Sequence, residues 1–373
     1  MPQKTTAAVL VEPRKIELRE FPLPEIDENS GIAKIEITGV CGADYPIYTG
    51  ALAQFAPPPL IPGHEIVAHI DRLGKEAAKR WGVKEGDRIV MEEYAPCGRC
   101  DFCLSGRYYI CNGMKMEKMY GFTSLGVAPG LWGGYSEYVY LDRQALLHKL
   151  SSKVPRNVAP FFVPLANGIR WAHLEGGVGI GSTVVIQGPG GQGLACVIAS
   201  KEAGAANIIV TGRGRDAARL ALAREFGAHH TIDVDAVGDA PEAGVVQAVS
   251  DLTDGKFADA VINVTAKAPG AMQQAMNLAK MGGTIVVAGE AHANAPDFQP
   301  DLIFLKELTI RGVRGRTARE MKKAIRLLEA GKYPLEKLAT HHFGLNEVDT
   351  AIRTVGGEGA PGAIHVSVLP ELK

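Results

Sequence analysis

The strand-like run Thr183–Gln187 is followed at once by Gly188-Pro189-Gly190-Gly191-Gln192-Gly193, a G-x-G-x-x-G that opens a helical stretch, Gly193–Ala203. Glycines at Gly188, Gly190, Gly191 and Gly193 allow a tight turn, a close backbone approach to a pyrophosphate and close packing of helix on strand. The helix N-terminus then faces the anion. Alternation continues downstream: Asn207–Thr211 reads as a strand, Asp216–Phe226 as a helix and Ala258–Val264 as a strand. Met272–Met281 follows as a helix, then Thr284–Ala288 and Leu308–Arg311 as strands. Strand–helix alternation of this kind implies βαβ units and a parallel sheet, so the chain is α/β and this part of it binds a dinucleotide.

The first 150 or so residues have a different texture, with short β-branched runs such as Gly31–Val40 and Arg88–Val90 broken by Pro and Gly. An amphipathic helix, Ala318–Ala330, and a strand near Ala363–Val368 close the chain. The layout expected is a β-rich domain over 1–160 and 311–373, with an α/β dinucleotide domain over 161–310 inserted in it. A length of 373 residues suits two such domains, each able to bury a core. Lys+Arg 40 against Asp+Glu 41 leaves a net charge of −1. That gives no basic field for phosphate backbones and argues against a nucleic-acid partner. The longest charge-free stretch, Gly176–Ser200, holds eight glycines and Pro189, a composition of short buried strands and a turn and no membrane helix. No secretory signal precedes the first strand-like run, Thr5–Val11, so a cytoplasmic setting is expected.

Four of the six cysteines stand as Cys97-x2-Cys100-x2-Cys103-x7-Cys111. Thiolates at this spacing fold a short loop around one tetrahedral zinc, and four sulfurs leave no open position, so the site is structural. Two separated motifs, Gly39-Val40-Cys41-Gly42-Ala43-Asp44 and Gly63-His64-Glu65, offer a thiolate, an imidazole and a carboxylate. Cys41, His64 and Glu65 can make an open zinc site that polarises a substrate oxygen. An acidic residue that would hold a ribose 2′-OH belongs at the end of the second strand, Asn207–Thr211. The sequence there is Gly212-Arg213-Gly214-Arg215-Asp216. Arg213 and Arg215 suit a 2′-phosphate, which favours NADP(H) over NAD(H). Asp216 is either the cap of the following helix or an acid brought back to the ribose by a longer loop.

The chain resembles the zinc-dependent alcohol dehydrogenase branch of the medium-chain dehydrogenase/reductases, nearest the polyol and threonine dehydrogenase type. Cys41–Asp44, Pro62-Gly63-His64-Glu65, Glu85-Gly86-Asp87-Arg88, the four-cysteine loop and Gly133-Gly134-Tyr135-Ser136-Glu137-Tyr138 carry the resemblance. It continues through the glycine-rich turn and Met281-Gly282-Gly283-Thr284 to Leu308-Thr309-Ile310-Arg311-Gly312, and so spans nearly the whole chain. The resemblance implies a GroES-like catalytic domain, a Rossmann domain, zinc at Cys41 and His64, and Asp44 as the carboxylate that orients the ligand histidine. It also implies a small-molecule alcohol or ketone substrate and a homodimer or homotetramer.

Three departures stand out. Ala43 replaces the hydroxyl residue that passes the substrate proton outward in the family. Val163 and Asn167 stand where a third zinc ligand, Glu or Cys, is usual, which leaves Glu65 to complete the set. Ala68 replaces a glycine. Water or the hydroxyl of Tyr45 or Tyr48 is expected to take over the proton. The alternative is a zinc-independent, NADPH-dependent reductase on the same fold that keeps only the structural zinc. Aromatic residues flanking the motifs, among them Trp132, Trp171, Phe55 and Phe122, are read mainly as core, with some lining an apolar pocket. His229, His230, His341 and His342 lack ligand spacing and are read as surface residues.

Overall fold

The computed structural model describes residues 4–112, 118–238, 241–290, 294–295 and 298–372. It divides into two compact units: residues 1–163 with 317–373, and residues 164–316. The two crossings lie three and six residues beyond the boundaries expected from the sequence texture.

Along the chain the strands are β1 (Lys4–Glu12), β2 (Lys15–Pro22), β3 (Gly31–Val40), β4 (Glu65–Leu73), β5 (Arg88–Met91), β6 (Tyr138–Leu141) and β7 (Leu147–Lys149). The inserted unit holds β8 (Thr183–Gln187), β9 (Asn207–Gly212), β10 (His230–Asp233), β11 (Ala258–Asn263), β12 (Ala279–Val287) and β13 (Thr309–Gly312). Strands β14 (Ala339–Phe343) and β15 (His365–Val368) return to the first unit.

In the first unit β1 and β2 form an antiparallel ribbon. A larger sheet runs β14-β15-β3-β4-β5-β7, with β6 also paired to β3. Its long central strand β3 is buried at eight of ten positions, which fits a strand covered on both faces. One core gathers Leu10, Val40, Ile47, Val348, Ile352 and Val368; another gathers Ile35, Ile66, Ile89, Tyr120 and Trp132. Trp132 packs against Tyr120 and Tyr140 and is a core residue, whereas Phe55 is largely exposed.

The second unit is a six-stranded, fully parallel sheet in the order β10-β9-β8-β11-β12-β13. Numbered within the unit this is 3-2-1-4-5-6, the doubly wound arrangement, and the order reverses between β8 and β11. Val185, Ile209, Val261, Ile285, Val245 and Met276 fill its core. Cys196 is fully buried there, burial pushes its thiol up to about 12, and it behaves as a small apolar residue.

Several boundaries differ from the expectation. The first crossover helix is Gly191–Glu202, two residues earlier than read, because Gly190 already takes the extended N-cap conformation. The expected helix Met272–Met281 ends at Leu278, and Ala279 begins β12. Here Ala279 already pairs with Ala258 of β11, and that pairing outweighs helical propensity. Among the described residues no helix is long and apolar enough to cross a membrane.

Candidate metal centres and dinucleotide turn

Strand β3 delivers Cys41 just past its end, and β4 begins at Glu65 with His64 immediately before it. The two strands are antiparallel neighbours with Gly39 opposite Glu65, so pairing brings the two motifs together. The turn into β4 requires glycine at position 63. Gly63 has φ +89°, and a Cβ there would stand 2.7 Å from the Tyr135 ring. Ligand atoms of Cys41, His64 and Glu65 all lie within 4.8 Å of one another. His64 and Glu65 are buried.

Asp44 is fully buried beneath this cluster. Its Oδ2 accepts the Cys41 backbone N–H at 2.9 Å and the Tyr135 hydroxyl at 2.7 Å. Its Oδ1 lies 3.5 Å from His64 Nδ1. That contact favours the His64 tautomer protonated on Nδ1 and leaves Nε2 as the ligand atom. Burial pushes the Cys41 thiol up, and the neighbouring His64 works against that rise. Burial opposes a charge on His64, but Asp44 and Cys41 outweigh it and raise the imidazole. The Phe122 ring packs at a tilt against His64, with the ring centroids 5.3 Å apart.

The four-cysteine loop converges as its spacing requires. Cys100 caps the short helix Asp101–Leu104, and the turn Tyr108–Ile110 brings Cys111 back. Sulfur–sulfur distances are 3.6 Å for Cys100–Cys103, 3.8 Å for Cys100–Cys111 and 3.9 Å for Cys97–Cys103. A tetrahedron of thiolates about 2.3 Å from zinc has edges of about 3.8 Å, so the cluster fits that ion. The Cys103 backbone N–H pulls the Cys100 thiol down to about 6, and backbone N–H groups of Arg99 and Cys100 lower Cys97. Tyr108 anchors the loop: its hydroxyl donates to buried Glu92 at 2.7 Å and accepts the Ala318 N–H. Glu92 also pairs with His148 at 2.7 Å.

In the second unit, Gly188–Gly193 follows β8 beside the point where strand order reverses. Gly190 has no side chain to cap the helix, which leaves its first N–H groups to an anion. A Cβ on Gly193 would overlap the Gly188 carbonyl oxygen, so the turn can close only with glycine. Asn167 donates from Nδ2 to Gln192 of this turn at 3.2 Å and accepts from Arg316 at 3.4 Å. Its amide thus serves the dinucleotide unit.

At the end of β9, Arg213 and Arg215 are both exposed. Arg213 Nε lies 3.0 Å from Asp235 Oδ1, and Asp235 also accepts the Gly214 N–H at 3.0 Å. Asp216 is buried, accepting the Arg213 backbone N–H at 3.1 Å and the Arg219 guanidinium at 3.1 Å. It stands at the N-cap position of the helix Ala217–Glu225. The Tyr45 hydroxyl donates to Glu358, and the Tyr48 hydroxyl donates to Asp349 at 2.5 Å.

Sequence reasoning missed Tyr135, Asp235 and His365, whose Nε2 lies 3.4 Å from Glu65 Oε2. Tyr135 sat inside a quoted motif without a role. A lone histidine 300 residues from its partner carries no local signal.

Comparison with known proteins agrees with this geometry. Residues 28–152 match the alcohol dehydrogenase GroES-like domain, and residues 191–330 match the zinc-binding dehydrogenase family. A Mycobacterium tuberculosis protein named "probable alcohol dehydrogenase" is 40% identical over 370 residues, 98% of each chain. An erythritol/L-threitol dehydrogenase of Mycolicibacterium smegmatis is 30% identical over 99% of each chain. A crystal structure from Sinorhizobium meliloti, of a zinc-binding dehydrogenase bound to NADP, superposes with a TM-score of 0.84. It is 27% identical, and the match covers 99% of this chain and 100% of that one. A buried thiol–imidazole–carboxylate cluster on one unit, a glycine turn on a doubly wound sheet and relatives matched from end to end agree: this chain belongs to the zinc-type alcohol dehydrogenases of the medium-chain dehydrogenase/reductase superfamily.

Proposed function

We propose that the chain moves hydride reversibly between NADP(H) and a secondary alcohol or its ketone, with one zinc at Cys41, His64 and Glu65 and a second at Cys97, Cys100, Cys103 and Cys111. The observation that carries this reading is the convergence of Cys41, His64 and Glu65 within 4.8 Å beside buried Asp44. Three donors of three kinds suit a zinc that keeps a position for substrate, whereas the four thiols suit a closed structural site. Zinc in the open site supplies a Lewis acid that polarises a carbonyl and makes an alcohol more acidic.

The protein's own groups do the rest. Asp44 holds His64 in one tautomer, and Tyr135 and the Cys41 N–H hold Asp44. Phe122 packs its ring against His64. In oxidation the alcohol gives hydride from carbon to the nicotinamide and a proton to solvent. With alanine at 43, that proton leaves through water or through the hydroxyl of Tyr45 or Tyr48, each of which already donates to a carboxylate. The preference for NADP(H) rests on Arg213 and Arg215, with Asp235 steadying Arg213 at the end of β9. A polyol or another secondary alcohol is the substrate class supported by the erythritol/L-threitol relative.

The test is zinc content together with turnover on a panel of secondary alcohols and ketones, supplied with NADP(H) or NAD(H). The expected result is two ions per chain and faster turnover with NADP(H). Cys41→Ser should lose one ion and the turnover while keeping the fold and dinucleotide binding. If a folded Cys41→Ser protein keeps its metal content and its turnover, the zinc-independent reductase replaces this reading.

A further inference from the structure

We propose that His365 positions Glu65 as the third ligand of the Cys41–His64 centre, an inference that rests on the zinc reading above. Glu65 is 1% exposed, and a carboxylate buried to that degree needs a partner for each oxygen. Its Oε2 faces His365 Nε2 at 3.4 Å, and His365 is itself 7% exposed. The two side chains come from opposite neighbours of one strand. β4 flanks β3 on one side with Glu65 opposite Gly39, and β15 flanks it on the other with Ser367 opposite Gly39. Gly39 is what lets them meet. A Cβ there would overlap Glu65 Oε2 and stand 3.1 Å from His365 Cε1.

Phe161 fixes the imidazole plane, its ring centroid 4.4 Å from that of His365. His365 Nδ1 is buried and has no hydrogen-bond partner among the described residues. An N–H on Nε2 donates to Glu65 Oε2, which leaves the other carboxylate oxygen for the ion. Glu65 is then backed by His365 much as His64 is backed by Asp44. Partners that hold a metal ligand in this way are typically worth roughly 10–100-fold in metal affinity. In this chain the device has added weight, because Val163 and Asn167 offer no thiolate or carboxylate in its place.

The experiment is transfer of zinc from the purified holoprotein to a chromogenic chelator, which reads the affinity of the second ion apart from turnover. His365→Phe keeps a ring against Phe161 and removes the donor. It should weaken the second site roughly 10–100-fold and leave the four-cysteine ion and the cooperative melt in place. His365→Gln, which returns an N–H donor, should restore most of that affinity. In a Glu65→Ala background, His365→Phe should change nothing further, an outcome that a packing role alone would not give. The inference is overturned if Glu65→Ala weakens the second site and His365→Phe does not, or if His365→Phe costs as much without Glu65 as with it. Should His365→Phe not fold, His365→Gln decides: affinity near wild type supports the role, and a loss equal to that of Glu65→Ala overturns it. A wild-type protein with one ion, or Glu65→Ala with unchanged second-site affinity, overturns the zinc reading itself and the inference with it.

Discussion

On the NADP(H) reading, Arg213 is the side chain that decides most at the cofactor site. Its side chain is 61% exposed and paired to Asp235, so it is held at the end of β9 and still open to a ligand. A charge-assisted contact to a 2′-phosphate is worth about 1.5–3 kcal/mol, and about 1.4 kcal/mol is tenfold in an equilibrium constant. Arg213→Ala is therefore expected to raise the KM for NADPH tenfold or more on that scale and to leave the KM for NADH nearly unchanged. Steady-state kinetics with both cofactors check this, and a wild-type preference for NADH would sink the NADP assignment. The type and place of this arginine were legible in the sequence. Its partner was not, because Asp235 lies 22 residues away on the loop after the next strand.

Among the elements, the four-cysteine loop is the one that the zinc reading ties most closely to an ion. Only a four-residue helix and a three-residue turn give it regular structure, and its Cys97, Cys100 and Cys103 side chains are only partly buried. Tyr109 and Cys111 pack into the adjoining core, and on the zinc reading binding of the metal adds to the folding free energy of the loop. Cys103→Ser is expected to release one zinc and lower the melting temperature by about 5 °C or more, given about 2–4 °C per kcal/mol for a domain of this size. An unchanged zinc content and melting temperature would refute the structural role. The helix Ala318–Ala330 needs no ion. Thr317 and Glu320 close a capping box at its start and Gly331 ends it in the left-handed region, which is why its limits were readable from sequence.

Across the whole molecule, the N-terminal and C-terminal segments are tied by Arg14, Tyr45 and Glu358. Arg14 and Glu358 form a bidentate pair at 3.0 and 3.2 Å. The Arg14 guanidinium and the Tyr45 hydroxyl bring the Glu358 carboxyl down to about 2 from its ordinary value near 4.5. A carboxyl lowered on folding adds stability above its unfolded value, and that stability is lost as pH falls through the folded value. Glu358→Gln should therefore flatten the fall in stability between about pH 4.5 and pH 2. Salt should diminish the effect, since the pair is exposed. Denaturant titrations across that range check it, and a slope equal to wild type would refute it.

The sequence by itself determined the α/β class, the glycine turn, the four-cysteine loop and the identity of Cys41, His64, Glu65 and Asp44. The class, the turn and the four-cysteine loop are written in short spacings and in the periods of strand and helix, Cys41 and His64-Glu65 stand in two separate motifs, and the role of Asp44 is what the family resemblance implies. Tertiary structure alone decided the strand order that puts β8 beside β11 and turned Asn167 toward Gln192. It also set Tyr135 against Asp44, paired the Tyr45 and Tyr48 hydroxyls with Glu358 and Asp349 and brought His365 across Gly39 to Glu65. These contacts join residues tens to hundreds of positions apart. Which strands become neighbours, and in what register, depends on burial of whole faces, and no local spacing encodes it.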